Sequence, residues 1–196
     1  MVTRPRGSYR KTAQRREEIL DAAFEVFSRT GYAASSLNEI ARVVGMSQPG
    51  MMHHFDGKAA MLQAVLERRD REAGELLSGR TDLDFLRGLI EIAEQNRERR
   101  GVVQLYSMLA AEATSADHPA AAYFAGRFEY VVAGTVNALE EAAALDLLLP
   151  EVDPRESGRN LVALTEGLQL LWLHNSAIDV AQSVRSEINR LLTTSI

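Results

Sequence analysis

Residues 36–58 read SLNEIARVVGMSQPGMMHHFDGK. Ser36 precedes Glu39 by three residues, the spacing of a capping box that starts a helix. Apolar residues then recur at i, i+3, i+4 and i+7 and form one face of a two-turn helix: Leu37, Ile40, Ala41 and Val44. Gly45 is suited to end this helix in a left-handed conformation, and Ser47 to cap the next one. Two short helices joined by about three residues form a helix-turn-helix, which normally lays its second helix in the DNA major groove.

Helices flank this motif on both sides. Residues 19–31 carry apolar side chains at helical spacing and end at a glycine, and a further helix begins at about residue 58. Over about residues 15–66 the sequence resembles the TetR family of bacterial transcriptional regulators. The matching parts are the helix 19–31, the run from Gly31-Tyr32 to Ile40-Ala41, Gly45-Met46-Ser47, and His53-His54-Phe55-Asp56-Gly57-Lys58.

The resemblance implies three DNA-binding helices, then a larger helical domain that binds a small molecule and dimerises through its last two helices. One position departs from the family pattern. Members usually carry a tyrosine where Met52 stands, and its hydroxyl usually contacts a DNA phosphate, which a thioether cannot do. Gly50 is also a poor helix former, at a cost of up to about 1 kcal/mol relative to alanine. Without a side chain, however, it lets the helix backbone approach the duplex closely.

Candidate DNA contacts lie in and beside the second helix of the motif. Gln48 can pair with adenine through two hydrogen bonds, and Lys58 can hold a phosphate as a point charge. Ser36 can offer its backbone amide at a helix start, while Arg42 is a candidate phosphate contact. The predicted set is Ser36, Arg42, Ser47, Gln48, Gly50, His53, His54 and Lys58. For each of them a solvated surface position is the alternative, whereas Met51 and Phe55 are expected to face the core.

Charge divides unevenly along the chain. The formal net charge is −5, yet residues 1–58 hold nine basic and six acidic side chains, while the remainder holds 13 basic and 21 acidic. Six of those nine basic residues precede residue 17, and no acidic residue lies among them. A basic segment ahead of a helix-turn-helix can supply the phosphate contacts that dominate affinity for DNA. A disordered, solubilising terminus is the alternative.

Beyond residue 58 the pattern stays helical. Helices are predicted over about 58–77, 82–100, 102–113, 119–145, 154–174 and 179–193, with Gly101 ending the second of these. The fold class is therefore all-α, with about nine helices. The predicted parts are a basic flexible arm (1–12), a helix-turn-helix DNA-binding domain (13–57), and an effector-binding and dimerisation domain (58–196).

The larger domain offers candidates for an effector site and for an interface. Ligand sites combine large apolar groups with a few polar ones, which favours Tyr106, Phe124, Phe128, Gln169 and Trp172, with Met108 and Glu112 as weaker candidates. The last two helices carry apolar stripes that suit a four-helix interface between two copies: Leu161, Leu164, Leu168, Leu171, Val180, Val184, Ile188 and Leu191. Packing within the monomer's own core is the alternative for both sets.

Several classes of protein are disfavoured. The chain has no cysteine, which excludes disulfides and thiolate metal sites, and no apolar run approaches the roughly 20 residues that span a bilayer. Four histidines are scattered without the His-Glu-x-x-His spacing, and there is no glycine-rich phosphate loop: His53, His54, His118 and His174. We therefore expect a cytoplasmic, non-enzymatic protein with neither metal nor cofactor.

The sequence and the resemblance together predict a ligand-responsive transcriptional regulator. It would bind double-stranded palindromic operator DNA as a homodimer and be released by an unidentified small-molecule effector, with repression as the family default. The alternative is a non-sequence-specific DNA-binding or scaffold protein without an effector.

Overall fold

The computed structural model describes the backbone of residues 6–196, and the side chains of residues 11–71 and 74–196. Over that range the chain is all-α with nine helices, as predicted, and its only β contact is one bridge between Leu148 and Leu192. The helices are α1 (Arg6–Ala34), α2 (Leu37–Val44), α3 (Gln48–Met52), α4 (Lys58–Leu77), α5 (Asp82–Asn96), α6 (Arg100–Glu112), α7 (Ala121–Ala144), α8 (Pro154–His174) and α9 (Val180–Leu191). None of the helices within the described residues is long and apolar enough to cross a bilayer.

The chain divides into two compact units, residues 1–70 and 71–196. The division falls inside α4, about two turns before its end, whereas the sequence placed the domain boundary at residue 58. The described part of α1 begins at Arg6, so residues 6–12, predicted as a flexible arm, are helical. Residues 1–5 of that predicted arm lie outside the described residues.

The first unit is built on α1. Phe27 and Ile19 are fully buried there, together with Ile40 of α2. Met51 and Phe55 are also buried, which confirms that they face the core. Gly31 interrupts α1 with φ 73°, a left-handed value that a residue with a side chain adopts only at a cost. The kink lies at the glycine where the sequence predicted the helix to end.

The second unit packs α5, α7, α8 and α9 around one apolar core. Leu86 and Leu139 are fully buried in it, and Trp172 is 7% exposed. Gly158 lets α8 cross close to α7, because a Cβ there would lie 2.6 Å from Cγ2 of Val136. One predicted boundary is wrong: Gly101 does not end α5 but lies in the first turn of α6.

The apolar side of α9 belongs to this core. Val180, Val184 and Ile188 are 0–7% exposed, and Leu161 of α8 is 1% exposed. The sequence left two interpretations for these four residues, an interface between two copies or the monomer's own core, and in the structure they lie in the core.

Candidate functional site

The turn between α2 and α3 has the capped geometry that the sequence predicts. The Ser36 hydroxyl accepts a hydrogen bond from the Glu39 amide at 3.2 Å, and Gly45 ends α2 at φ 71°, ψ 36°. The Met46 amide then donates to the Ala41 carbonyl at 2.9 Å, as in a Schellman motif. Instead of returning to the Ser36 amide, the Glu39 carboxylate pairs with the Arg29 guanidinium, which fastens α2 to α1.

The N-terminal end of α3 is open to solvent. Ser47 is exposed, and its hydroxyl caps α3 by accepting a hydrogen bond from the Gly50 amide at 3.2 Å. Gln48 is half-buried, and Pro49 occupies the first turn, where its missing N–H has no intrahelical partner to lose. Met51 on the opposite side is fully buried. The buried Met51 side chain therefore anchors this short helix to the core, while the first residues of the helix face solvent.

The two histidines lie past the other end of α3. The helix covers only five residues, His53 is its C-cap, and the His54 amide donates to the Met51 carbonyl at 2.9 Å. His53 is exposed, whereas His54 is half-buried. At 1.5 Å per residue, His53 is about 8 Å along the axis from Gln48. Ser47, Gln48 and Gly50 thus lie at the N-terminal end of α3, and His53 and His54 lie beyond its other end.

Arg16 has a structural role that the sequence did not indicate. Its guanidinium donates to the His54 carbonyl at 2.6 Å and lies 4.0 Å from the centre of the Phe55 ring. The sequence counted Arg16 among the basic residues available for phosphate contacts. Its partners are 38 and 39 residues away along the chain, so the local sequence around Arg16 could not predict these contacts.

Lys58 is also engaged within the fold. Its ammonium donates to the carbonyls of Tyr32 and Ser35 at 2.6 and 2.8 Å and lies 4.2 Å from the centre of the Tyr32 ring. A cation is favoured there because carbonyl oxygens at the end of a helix carry partial negative charge. Burial raises the pKa of the Tyr32 phenol. The structure thus gives Lys58 a role in joining α4 to α1, different from the predicted phosphate contact.

Two predicted contacts on α2 remain available to a ligand. Ser36 is exposed at the start of the helix, and Arg42 is exposed in its second turn. Among the described residues, no acceptor or acid engages the Arg42 guanidinium. Arg42 therefore offers a free positive charge on the same small motif as Ser47 and Gln48.

In the second unit, three of the predicted effector residues come together. The rings of Tyr106 and Phe124 are 5.9 Å apart in an edge-on arrangement, and Phe128 follows one turn along α7 with its ring 6.1 Å from Phe124. Tyr123 completes the group, since its hydroxyl lies 3.0 Å from that of Tyr106. These four rings, contributed by α6 and α7, are called the aromatic cluster below.

Arg127 contacts the aromatic cluster, and its charge also acts on Glu166. The Arg127 guanidinium lies 5.0 Å from the centre of the Tyr106 ring. Glu166 on α8 is largely withdrawn from solvent, and burial raises the pKa of its carboxyl, with the charge of Arg127 opposing that shift. The sequence did not single out either residue, because a charged side chain on a helix is most often solvated.

Gln169 and Trp172 are placed differently from one another. Gln169 is half-buried, three residues after Glu166 on α8. Trp172 belongs to the core of the unit, and the Arg100 guanidinium lies 5.4 Å from its ring while donating to the Leu173 carbonyl at 2.5 Å. Trp172 is thus packed as a core residue and not with the aromatic cluster. No group of three or more acidic, histidine or cysteine side chains in the described part of the chain is arranged to hold a metal ion.

One face of α8 leaves large apolar side chains uncovered. Leu170 and Leu171 are 51% and 55% exposed, and Ala163 and Gly167 on the same face are exposed as well. These positions follow a helical spacing and form a continuous stripe, which we call the α8 face. The outward side of α9 is polar by comparison, with Gln182, Ser186 and Arg190 exposed.

A capped two-helix motif supported by α1, with an exposed α3, defines a helix-turn-helix protein. Residues 19–65 match the family model described as bacterial regulatory proteins, tetR family, which is the resemblance that the sequence predicted. The family is one of regulators and not of enzymes, in agreement with the sequence prediction.

Individual relatives differ in how much of the chain they match. The HTH-type transcriptional regulator SrpR of Pseudomonas putida is 45% identical over 64 residues, which cover 31% of this chain and 30% of SrpR. The match thus spans under a third of that relative. The HTH-type transcriptional regulator UidR of Escherichia coli K12 is 25% identical over 185 residues, covering 92% and 94% of the two chains. Among solved structures, the SmeT–triclosan complex superposes with a TM-score of 0.75 at 22% identity, over 90% of this chain and 89% of SmeT.

Proposed function

We propose that this protein is a ligand-responsive transcriptional regulator, by default a repressor, that binds palindromic operator DNA as a homodimer and is released by a small-molecule effector. The observation that carries the proposal is the exposed N-terminal end of α3, held outward by the Ser47 cap on one side and by buried Met51 on the other. A rigid recognition helix positioned in this way is what major-groove reading requires.

Within α2 and α3, base reading and phosphate binding fall to different residues. Gln48 is the side chain best suited to a base edge, since its amide can bond adenine through both of its polar atoms. Arg42, exposed and without an internal partner, contacts a phosphate, while Ser36, Ser47 and Gly50 bring backbone and hydroxyl groups near the duplex. His53 lies at the far end of α3 and contacts at most the edge of the site.

Selection from a random double-stranded DNA pool tests this division of roles. We expect the full-length protein to enrich an inverted repeat at about 150 mM salt, where non-specific binding is weak. Gln48→Ala should relax the preference at one position of each half-site, with a loss of about 1–3 kcal/mol. Arg42→Ala should instead weaken binding to all sequences alike. Enrichment of no sequence would favour the alternative, a non-sequence-specific DNA-binding or scaffold protein.

The α8 face is the surface that we assign to the homodimer. Two recognition helices must lie about 34–36 Å apart to reach successive major-groove half-sites, which requires two copies. Leu170 and Leu171 expose apolar surface that no other part of the described chain covers. The small residues Ala163 and Gly167 would allow a helix of the second copy to approach α8 closely. The apolar residues of α9 already close the monomer core, so α8 carries most of the contact.

Single charged substitutions distinguish the two helices. Leu171→Glu should convert a dimer to a monomer in analytical ultracentrifugation, because it buries an unpaired charge at the interface. The matched control is Ser186→Glu on the exposed side of α9, which should remain dimeric. A monomeric wild-type protein, or dissociation by the control alone, would contradict the assignment of the α8 face.

The aromatic cluster supports an effector site in the second unit. Ligand sites are largely apolar with a few polar groups, and here rings from α6 and α7 pack together beside the guanidinium of Arg127. The related structure of SmeT contains triclosan, an observation made on that protein. An effector that binds better to a conformation unsuited to the operator lowers DNA affinity, and the operator weakens effector binding by the same factor. Because α4 contains the division between the two units, it is the segment through which this coupling passes.

A further inference from the structure

Arg16 of α1 holds the segment that leaves α3. Its guanidinium donates a hydrogen bond to the His54 carbonyl at 2.6 Å and lies 4.0 Å from the centre of the Phe55 ring. His53 is the C-cap of α3, so both contacts fall on the two residues that directly follow the helix end. Arg16 is exposed whereas Phe55 is buried. One surface side chain therefore joins the end of α3 to the first helix.

The acids next to Arg16 have cations of their own. Glu18 pairs with Arg15 at 2.6 Å, and Glu17 pairs with Arg68 at 3.1 Å. Among the described residues, no carboxylate pairs with Arg16. Its guanidinium is instead engaged by the carbonyl and the ring that follow α3, where the partial negative charge of a helix end and the face of an aromatic ring both favour a cation.

The direction of α3 depends on what holds each end of this five-residue helix. Its first end is held by the Ser47 cap, and Met51 is its one buried residue. At 1.5 Å per residue, Gln48 lies about 4.5 Å along the axis from Met51, and His54 is as many residues beyond it. If α3 pivoted on Met51, a shift of about 1 Å at His54 would move Gln48 about as far the opposite way, whereas a recognition group has to be held within about 0.5 Å.

We infer that Arg16 is a positioning residue for sequence reading by α3. It keeps the end of the helix against α1 and so fixes the direction in which Gln48 meets a base edge, without contacting DNA itself. This inference rests on the proposed function, because it names a side chain of α1 on which the sequence preference of α3 depends. It gives Arg16 a role different from the phosphate contact that its place in the basic N-terminal segment predicts.

Binding of the full-length protein to two duplexes tests this role. One duplex carries the inverted repeat enriched by selection, and the other has the same length and base composition in scrambled order. Arg16→Met keeps an apolar stem and removes the donors. It should lower the ratio of operator affinity to scrambled-duplex affinity by about tenfold, the size of one hydrogen bond to a charged group. The slope of log K against log salt should keep its wild-type value, because no phosphate contact is lost.

Arg15→Met is the matched control. It removes the same charge one residue earlier, and Arg15 pairs with Glu18 of its own helix instead of contacting the end of α3. The ratio should therefore keep its wild-type value in this variant. Arg16→Lys is a milder second test, since lysine retains the charge and a donor but lacks the planar group that stacks on Phe55. We expect it to lower the ratio by about threefold.

Hydrogen exchange of the free protein measures the attachment of α3 without DNA. The amides of residues 50–56 should exchange about tenfold faster in Arg16→Met than in Arg15→Met, because the end of α3 opens more often without its bond to α1. The amides of residues 19–27 in α1 should exchange alike in the two variants. Faster exchange there as well would mean that Arg16 contributes only general stability, and would overturn the inference.

The two assays also separate this inference from the proposed function. An equal affinity ratio, or equal exchange of residues 50–56, in Arg16→Met and Arg15→Met overturns the inference and leaves an enriched inverted repeat, and with it the proposed function, intact. Equal weakening on both duplexes with a slope reduced by about 0.9 overturns it in favour of a phosphate contact. If no inverted repeat is enriched but exchange differs as expected, the proposed function fails and only the attachment of α3 by Arg16 stands.

Discussion

Replacing Lys58 with methionine separates two roles that one side chain can have. In the structure the ammonium donates to the carbonyls of Tyr32 and Ser35 at 2.6 and 2.8 Å and lies 4.2 Å from the Tyr32 ring. The sequence instead predicted a phosphate contact. The first role contributes to the free energy of unfolding, and the second to the salt dependence of DNA binding.

The expected loss of stability follows from these contacts. A hydrogen bond to a charged group contributes about 1.5–3 kcal/mol, and a cation–π contact at a partly exposed site about 0.5–1 kcal/mol. Since both bonds share one half-buried ammonium, and methionine retains much of the apolar stem, we expect Lys58→Met to cost about 2–3 kcal/mol. For a chain of this size, that cost corresponds to a decrease in Tm of about 5–10 °C.

Urea denaturation measures this cost, and titration of an enriched DNA site at several salt concentrations measures the second role. Lys58→Met should leave the slope of log K against log salt unchanged. The control is Arg42→Met, which removes an exposed charge: its stability should change by less than about 0.5 kcal/mol, while the slope decreases by about 0.9. If Lys58→Met behaves like the control in both assays, the role that we derive from the structure is wrong.

Three further substitutions test other parts of the fold by urea denaturation. Gly45→Ala should cost about 1–2 kcal/mol through its φ of 71° alone, since a Cβ would meet nothing within 4 Å; a loss below about 0.5 kcal/mol would contradict this. Glu141→Ala removes the acceptor for the amide of Asp82, which has φ 40°, and should cost about 1 kcal/mol, whereas Glu141→Gln keeps an oxygen and should recover most of it. Burial raises the pKa of Glu166 above 4.5, so its protonation favours the folded state; this stability is complete below that pH and is lost as the pH rises through the folded pKa. Glu166→Gln should therefore become more stable relative to wild type between about pH 4 and pH 8, and a constant difference would contradict the sign.

Features set by neighbouring residues were predictable from the sequence. The bounds of α4 and α8 agree with the predicted 58–77 and 154–174. The two predicted caps, Ser36 and Ser47, accept the expected backbone hydrogen bonds, and Asp153 and Asp179 cap α8 and α9 in the same way. A helix start depends on a side chain and an amide two or three residues apart, so local sequence contains the information that determines it.

Partners of charged residues were not predictable in this way. Arg16, Lys58 and Glu166 are surface-type residues in composition, yet each has its main partner more than 20 residues away. Which carbonyl or ring a long cationic side chain meets depends on how the helices pack. The sequence therefore predicted the helix-turn-helix, but not that Arg16 and Lys58 donate hydrogen bonds to carbonyls within the fold.

The apolar stripe of α9 illustrates the same limit for interfaces. The apolar stripe of Val180, Val184 and Ile188 predicts only that one side of the helix is buried. It does not distinguish burial in the core of the same chain from burial against a second copy. In the structure that side is buried within the monomer, whereas Leu170 and Leu171 of α8 leave apolar surface exposed. A second copy that covers these two leucines therefore needs no rearrangement of the core. If dimerisation instead depended on Val184 or Ile188, the core would have to open first, and the dimer would form slowly and lose stability in the same variants that unfold the monomer.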